Sequence, residues 1–424
     1  MLTAIVGTNW GDEGKGRMVD LLSSDYDLVV RYQGGNNAGH TVINGDLKVI
    51  LNLLPSGVLR DTTVNIIGNG VVVDLEHLAG EIENLKQKGI VLTPDRLKIS
   101  TRAVICTPYH KMMDILEETR LGKNSYGSTR RGIAPVYADK YMKKGIRMED
   151  LLCEDTLKEK VERIVEWKNL TVHGGYGAEA VSADEIYNWL MKYGAIIKPF
   201  ITDTESVLRN AIKEDKKIMF EAQLGSLRDI DFGIYPFTTS SSTIAAYAPI
   251  GAGVPEAKLD EVVGIMKAYS SCVGAGPFTC EMFGEEGEAL REAGSEYGAA
   301  TGRPRRVGPI DIPASRYGAM VQGTTCVALT KLDVLSYMDK IPVCVAYEID
   351  GEITKDFPSG DRLLRAKPVI EYLPGFKCDI TGCRKPEDLP KEAIAYVKYI
   401  ERETGTHIKY VSVGASREQI VIMD

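Results

Sequence analysis

Gly7-Thr8-Asn9-Trp10-Gly11-Asp12-Glu13-Gly14-Lys15-Gly16 gathers four glycines, a lysine and two acids into one short run. Such a run is a phosphate cradle when a strand precedes it and a helix follows. Backbone N–H groups at the helix start then point at the anion, and glycine lets the backbone approach it. Gly11, Gly14, Lys15 and Gly16 are the cradle candidates. The segment departs from the ordinary phosphate loop at Gly16, where Ser or Thr would hold Mg²⁺. Asp12 and Glu13 stand before the lysine instead. A carboxylate inside a phosphate loop repels the ligand unless a cation bridges them or the carboxylate has chemistry of its own. The pattern therefore points to catalysis.

A second reactive loop reads Arg31-Tyr32-Gln33-Gly34-Gly35-Asn36-Asn37-Ala38-Gly39-His40-Thr41. Its glycines permit close backbone approach, Asn37 offers a donor and an acceptor, and His40 ends the loop as a candidate acid or base. In Leu329-Thr330-Lys331-Leu332-Asp333, the Asp333 carboxylate can accept from the ring N–H and the exocyclic amine of guanine, with the Lys331 stem across the base. Adenine presents no such donor pair. Gly298-Ala299-Ala300-Thr301-Gly302-Arg303-Pro304-Arg305-Arg306 reads as an anion clamp on a mobile loop, because arginine forks bind carboxylates and phosphates in a bidentate manner. Less informative are the stretches 125–132 and 235–242, Phe220-Glu221-Ala222-Gln223, and Ser412-Val413-Gly414.

Short apolar strands alternating with amphipathic helices position these loops. Strands are expected at Leu2–Val6, Leu28–Arg31, Val64–Ile67, Lys217–Glu221, Val327–Lys331 and Val343–Tyr347. Helices are expected at Arg17–Leu22, Leu75–Lys88, Tyr109–Thr119, Thr156–Lys168, Ala183–Lys192, Glu205–Glu214 and Pro386–Thr404. This alternation predicts the α/β class: a large, mostly parallel central sheet flanked by helices. The glycine runs 34–39, 68–70, 251–253 and 298–302 are expected at strand ends, where ligands gather in such sheets. No repeat, low-complexity tract or flexible linker interrupts the chain. One large domain over residues 1–424, with smaller subdomain insertions, is expected.

Composition is ordinary for a globular protein, 44% hydrophobic and 26% charged. A net charge of −8 argues against nucleic acid as a partner. Eight cysteines in 424 residues are too sparse for a disulfide scaffold, and Cys378 and Cys383 have no second pair or nearby histidine to complete a zinc site. No apolar run approaches the ~20 residues of a membrane span, and Leu2–Val6 reads as a strand rather than a signal peptide. The expected compartment is cytoplasmic.

The ordered motifs Gly11–Gly16, Arg31–Gly35 with Asn37–Thr41, Val273-Gly274-Ala275-Gly276-Pro277-Phe278, Thr301-Gly302-Arg303 and Thr330–Asp333 resemble those of the adenylosuccinate synthetase family, nearly end to end. The resemblance implies a P-loop-like ligase that uses GTP to join L-aspartate to IMP through 6-phosphoryl-IMP, with Mg²⁺, in a homodimer. It implies that Asp12 is the base that removes the N1 proton of IMP, that Asp12 and the Gly39 carbonyl hold the metal, and that His40 is the general acid. GTP would be held by Gly11, Glu13, Gly14, Lys15, Gly16, Thr41, Arg305, Lys331, Leu332, Asp333, Ser412, Val413 and Gly414. IMP would meet Asp12, Lys15, Asn37, Ala38, Gly39, His40, Thr129, Lys143, Gln223, Thr239 and Arg303. Aspartate would meet Ala299, Ala300, Thr301, Gly302, Arg303 and Arg305.

The chain departs from that family in three places. Lys143 follows Asp139-Lys140-Tyr141-Met142 where the family has a partner-subunit arginine. Glu221-Ala222-Gln223-Leu224-Gly225 carries its glutamine one position early, so Gln223 either uses a local bulge or does not reach IMP. Pro304 stands in place of a common arginine, with Arg303 and Arg305 retained. Two other classes compete with the ligase. A GTP-binding switch shares the Lys-x-Asp pattern but needs Ser or Thr at position 16. A dinucleotide-dependent oxidoreductase needs a glycine spacing that Gly11, Gly14 and Gly16 do not supply.

Overall fold

The computed structural model describes residues 1–44, 47–298 and 302–423, the side chains of residues 41–48 excepted. Ten strands form its central sheet: β1 (Leu2–Gly7), β2 (Leu28–Arg31), β3 (Val64–Ile67), β4 (Leu97–Ser100), β5 (Ile201–Thr202), β6 (Ile218–Glu221), β7 (Glu261–Lys267), β8 (Cys326–Thr330), β9 (Ile408–Ser412) and β10 (Ile420–Ile422). They lie in the order β10-β9-β8-β7-β1-β6-β2-β3-β4-β5. All neighbours are parallel except the antiparallel edge pair β9–β10. All residues of β1 and β2 are buried, as expected when helices cover both faces of a parallel sheet. Parallel strands share one carboxyl edge, so the loops after β1, β2, β6 and β8 emerge together there. The expected α/β sheet is thus present, and these four strands start or end within a residue of their expected bounds.

Four local expectations are corrected. Val343–Tyr347 lies within the longer strand Lys340–Ile349, which belongs to a separate four-stranded sheet with Ile310–Asp311, Glu352–Thr354 and Lys367–Pro374. Apolar periodicity identifies a strand but not its sheet. The run Pro386–Thr404 splits into a short turn, Pro386–Asp388, and the helix Lys391–Thr404, because Pro390 at the boundary has no N–H to continue a ladder. Gly251-Ala252-Gly253 ends the short helix Ala248–Ala252 rather than a strand. Gly298 follows the helix Gly284–Ala293, also away from a strand end. β7 was hidden in the sequence by its central Gly264. A Cβ at that residue would lie 2.5 Å from Thr324 Cγ2, so the sheet there requires glycine.

All eight cysteines are unpaired, in line with the sparse-cysteine reading. No described helix is long and apolar enough to cross a membrane.

The helix Ile312–Gln322 runs beneath the first loop, and Asp311 caps it by accepting from Ala314 N at 3.0 Å. The Tyr347 hydroxyl lies 2.7 Å from each Asp311 oxygen. Burial pushes the Asp311 carboxyl up to about 6. A carboxyl raised in the folded state favours folding below its unfolded value, about 3.9, and that contribution is lost as pH rises through its folded value. Asp311→Asn keeps a cap without the buried charge. Its melting temperature relative to the parent is therefore expected to climb between pH 4 and 7, by the equivalent of about 1–3 kcal/mol. Parallel melting curves of the two proteins across that range would refute the assignment.

Candidate active site

The first loop is built as a cradle. Gly11, Asp12 and Gly14 have φ of 98°, 59° and 99°, and the helix Lys15–Leu22 begins directly after them. The two acids have opposite fates. Glu13 turns inward: its Oε1 accepts from Asn9 N at 3.1 Å and Gly11 N at 2.8 Å, and its Oε2 pairs with Lys15 Nζ at 2.6 Å. Both side chains of that pair are only 2% exposed. Asp12 is partly exposed and meets Arg305 Nη2 at 3.1 Å. The glycine after the lysine also has a structural cause. A Cβ on Gly16 would lie 2.7 Å from the Cβ of His40, so the second loop packs where Ser or Thr would stand.

The helix Ile312–Gln322 fixes the loop from below. Asn9 Nδ2 donates to Ser315 Oγ at 3.0 Å, and Gln322 Nε2 donates to the Gly7 carbonyl at 3.1 Å. Gly318 lies so close that its Cβ would fall 1.6 Å from the Thr8 carbonyl oxygen. Gly318→Ala is therefore expected to push the cradle off its seat. It should lower stability by roughly 1–3 kcal/mol and weaken nucleotide binding, read by thermal melting and by titration with GDP. Unchanged GDP affinity would show that the cradle does not depend on this contact.

His40 is buried at the end of the second loop, with Nδ1 2.5 Å from Glu221 Oε1 at the end of β6. Ser56 supports the same carboxylate, Oγ to Oε1 at 2.6 Å and N to Oε2 at 2.8 Å. Burial pushes the His40 imidazole down. Burial alone would raise Glu221, but the His40 hydrogen bond and the charges of His40 and Arg31 outweigh it and hold the carboxyl below its ordinary range. Nδ1 is thereby committed to the Glu221 carboxylate, which leaves Nε2 as the ring nitrogen available to exchange a proton.

Gln223 is fully buried. Its Nε2 donates to the carbonyls of Gly35 and Ala38, each at 2.9 Å, and its Oε1 accepts from Gly35 N at 3.2 Å. The irregularity after the strand is the left-handed Leu224, φ 62°. Gln33 joins this network, donating to the Gln223 carbonyl at 2.6 Å and accepting from Ser241 Oγ at 2.9 Å. The loops carrying Gly34–Gly39, Gln223 and Thr239 are thus tied together. Asn37 Oδ1 and Thr239 Oγ1 are buried without a hydrogen-bond partner among the described residues. Thr129 is exposed on a loop whose Gly127 lies against Gly274 and Ala275. Lys143 is exposed beyond the helix Ile133–Tyr141.

At the end of β8, Thr330 Oγ1 donates to the Glu13 carbonyl at 2.6 Å, joining this strand to the cradle. Lys331 adopts φ 61° and opens the turn Leu332–Tyr337. Asp333 Oδ1 is buried without a partner among the described residues, and burial raises its carboxyl above the ordinary range. Ser412 is bound by Arg17, which also donates to the Ser416 carbonyl at 2.6 Å. Leu332 and Val413 are core residues, so any contact they make with a ligand is through backbone. Gly414 packs on Gln419, whose Oε1 a Cβ would meet at 2.3 Å.

The arginine loop is closed at its base. Gly298 N donates to the Arg303 carbonyl at 2.8 Å, Gly302 N to the Gly298 carbonyl at 2.8 Å, and Arg305 N to the Glu296 carbonyl at 2.9 Å. Arg303 and Gly302 are exposed. Arg305 divides its fork between Asp12 and Glu296, the latter at 2.8 Å. Ala299, Ala300 and Thr301 lie outside the described residues, as does the side chain of Thr41. The sequence did not reveal Glu221, Glu296, Gly318 or Gln322. Each acts through a contact with a distant segment, and no spacing marks it.

Cradle, partnered histidine and the Asp333 turn follow strands of one parallel sheet at its carboxyl edge, and Arg305 ties the arginine loop to the cradle through Asp12, an arrangement of the nucleotide-binding α/β enzyme class. The family model for adenylosuccinate synthetase matches residues 4–421. An adenylosuccinate synthetase of Carboxydothermus hydrogenoformans is 47% identical over 421 residues, 99% of this chain and 98% of that protein. One from Streptococcus gordonii is 44% identical over 421 residues, 99% of this chain and 97% of that protein. The fully ligated structure of adenylosuccinate synthetase from Plasmodium falciparum superposes with a TM-score of 0.93 at 35% identity, covering 100% of this chain and 99% of that one. The chain belongs to the adenylosuccinate synthetase family. Its activity is the GTP-dependent ligation of L-aspartate to IMP, giving adenylosuccinate, GDP and phosphate on the route from IMP to AMP.

Proposed function

We propose that Asp12 starts the reaction by taking the N1 proton of IMP, so that the 6-oxygen attacks the γ-phosphorus of GTP and GDP leaves. The amine of aspartate then attacks C6 of 6-phosphoryl-IMP, and phosphate departs. The observation that carries this reading is the contrast between neighbouring acids: Glu13 is consumed inside the cradle, while Asp12 is directed out of it onto Arg305. An aspartate is ordinarily a weak base, so the rate must come from alignment and charge placement in a water-poor site.

His40 takes the acid's role once phosphate charge raises its imidazole, with Glu221 fixing the ring. Lys15 and the backbone of Gly11, Glu13, Gly14, Gly16 and Thr41 hold phosphates, the Glu13 carboxylate staying bound inside the loop. Asp333, Lys331, Leu332, Ser412, Val413 and Gly414 hold guanine, supported by Asp333 Oδ1, which has no partner among the described residues. Asn37, Ala38, Gly39, Thr129, Thr239 and Arg303 receive IMP, supported by Asn37 Oδ1 and Thr239 Oγ1, which have no partner among the described residues. Gln223 serves IMP by holding the Gly35–Ala38 backbone. Ala299, Ala300, Thr301, Gly302, Arg303 and Arg305 take aspartate.

Mg²⁺ fits this donor set. Magnesium commonly keeps several waters and takes one or two carboxylates beside substrate phosphates, and the outward Asp12 carboxylate with the Gly39 carbonyl meets that need. The ion would neutralise phosphate charge. Lys143, exposed beyond the helix Ile133–Tyr141, would meet IMP in the second subunit of a homodimer. The chain acts as one domain in the cytoplasm.

A direct assay combines GTP, IMP, aspartate and Mg²⁺ and follows purine absorbance. Formation of the 6-substituted purine with one phosphate released per GTP is expected. Phosphate release without aspartate incorporation, from folded protein, would overturn the reading.

A further inference from the structure

Glu296 has no role in the mechanism proposed for this site, yet three cations and a hydroxyl converge on its carboxylate. It is fully buried. Its Oε1 accepts from Lys267 Nζ at 2.8 Å, Lys331 Nζ at 2.8 Å and the Tyr269 hydroxyl at 2.5 Å. Its Oε2 accepts from Arg305 Nη1 at 2.8 Å. Burial would raise this carboxyl, but Lys267, Lys331 and Arg305 together hold it far below the ordinary range. Three cations therefore depend on one anion inside the protein, with Asp12 on the outer nitrogen of Arg305 as the second.

The partners divide into two kinds. Lys267 and Tyr269 are buried at and just beyond the end of β7. Lys331 and Arg305 belong to separate loops, and in the proposed mechanism one lies across guanine while the other takes the carboxylate of aspartate. A structural carboxylate would be satisfied by the first pair. We infer that Glu296 is a positioning residue that fixes Lys331 and Arg305 together and so couples the guanine end of the site to the aspartate end. The divided fork suits such coupling, because Nη1 stays on Glu296 while Nη2 can leave Asp12 for the substrate carboxylate. Binding at either end then orders the same anchor, and the coupling is reciprocal.

The inference rests on the proposed roles of Lys331 and Arg305, and the experiment separates the two. Glu296→Gln removes the charge and keeps the shape. It is expected to raise KM for GTP and for aspartate, each by roughly 10- to 100-fold, to weaken GDP binding similarly, and to raise KM for IMP clearly less, since its one route to IMP is the Arg305–Asp12 pair. Glu296→Asp keeps the charge with a shorter reach and should raise the same two constants less. Should the glutamine variant not fold, the aspartate variant carries the test. Unchanged constants for GTP and aspartate, or equal changes for all three substrates, would overturn the inference. Lys331→Met is the control for the underlying reading. If it weakens GDP binding while Glu296→Gln does not, the coupling alone is wrong. If it leaves GDP binding intact, the guanine assignment fails first.

Discussion

Asp12→Asn is expected to lower turnover by about 10²- to 10⁴-fold while GDP still binds. Asparagine tolerates the left-handed φ of 59° at this position, so the loop should keep its shape. Nucleotide contacts from the Lys15 helix start and from Asp333 do not pass through the Asp12 side chain. The substituted amide cannot accept the N1 proton of IMP, and it releases Arg305 Nη2 from its ion pair. Affinity for aspartate should therefore fall less than turnover, and it can rise, because the fork no longer has to leave an anion. Single-turnover measurements with saturating GTP and IMP isolate the effect on chemistry. Turnover within about tenfold of the parent would remove Asp12 from the role of base.

The second large effect concerns which nucleotide is used. Asp333→Asn is expected to lower kcat/KM for GTP by roughly 10²- to 10⁴-fold and to make xanthosine triphosphate the better phosphoryl donor. In the proposed guanine site the carboxylate would accept from two donors on the base. An asparagine turns one of its two positions into a donor, which meets the 2-carbonyl of xanthine and opposes the 2-amine of guanine. Asp333 presents one buried oxygen with no protein partner among the described residues, which supports that proposed contact. Comparing kcat/KM for the two nucleotides in parent and variant checks the reversal. A uniform loss with both would mean that the side chain supports the turn Leu332–Tyr337 rather than reading the base.

The elements that carry the site were legible because parallel strands announce themselves. β1, β2 and β6 are apolar or β-branched up to their last residues, Gly7, Arg31 and Glu221, and the glycine loops after β1 and β2 follow at once. Lys15, His40, Lys331 and Asp333 were visible for the same reason: each belongs to a local pattern in the segment that follows a strand's carboxyl end. What the sequence hid is tertiary. Glu221 partners His40 across 181 residues of chain, and its place at the end of β6 gives no sign of that. Gln223 looked misplaced by one position, and only the left-handed Leu224 and the bonds to Gly35 and Ala38 explain its direction. Glycine at position 16 looked like a loss of metal ligation, and the packing of His40 supplies its cause. Gly318 reads as an unremarkable residue in the middle of a helix, because the demand on it comes from the carbonyl of Thr8, more than 300 residues away.

The inward turn of Glu13 has a consequence for how the resting protein meets its nucleotide. Two backbone N–H groups and an ammonium that would otherwise await an anion already have one, supplied by the chain itself. This internal surrogate keeps the receptor moulded before any visitor arrives, so ordering the loop need not be recovered from the affinity of the guest. It also mutes the appeal of the cradle to small inorganic anions, leaving entry to molecules that bring recognition at more than one point.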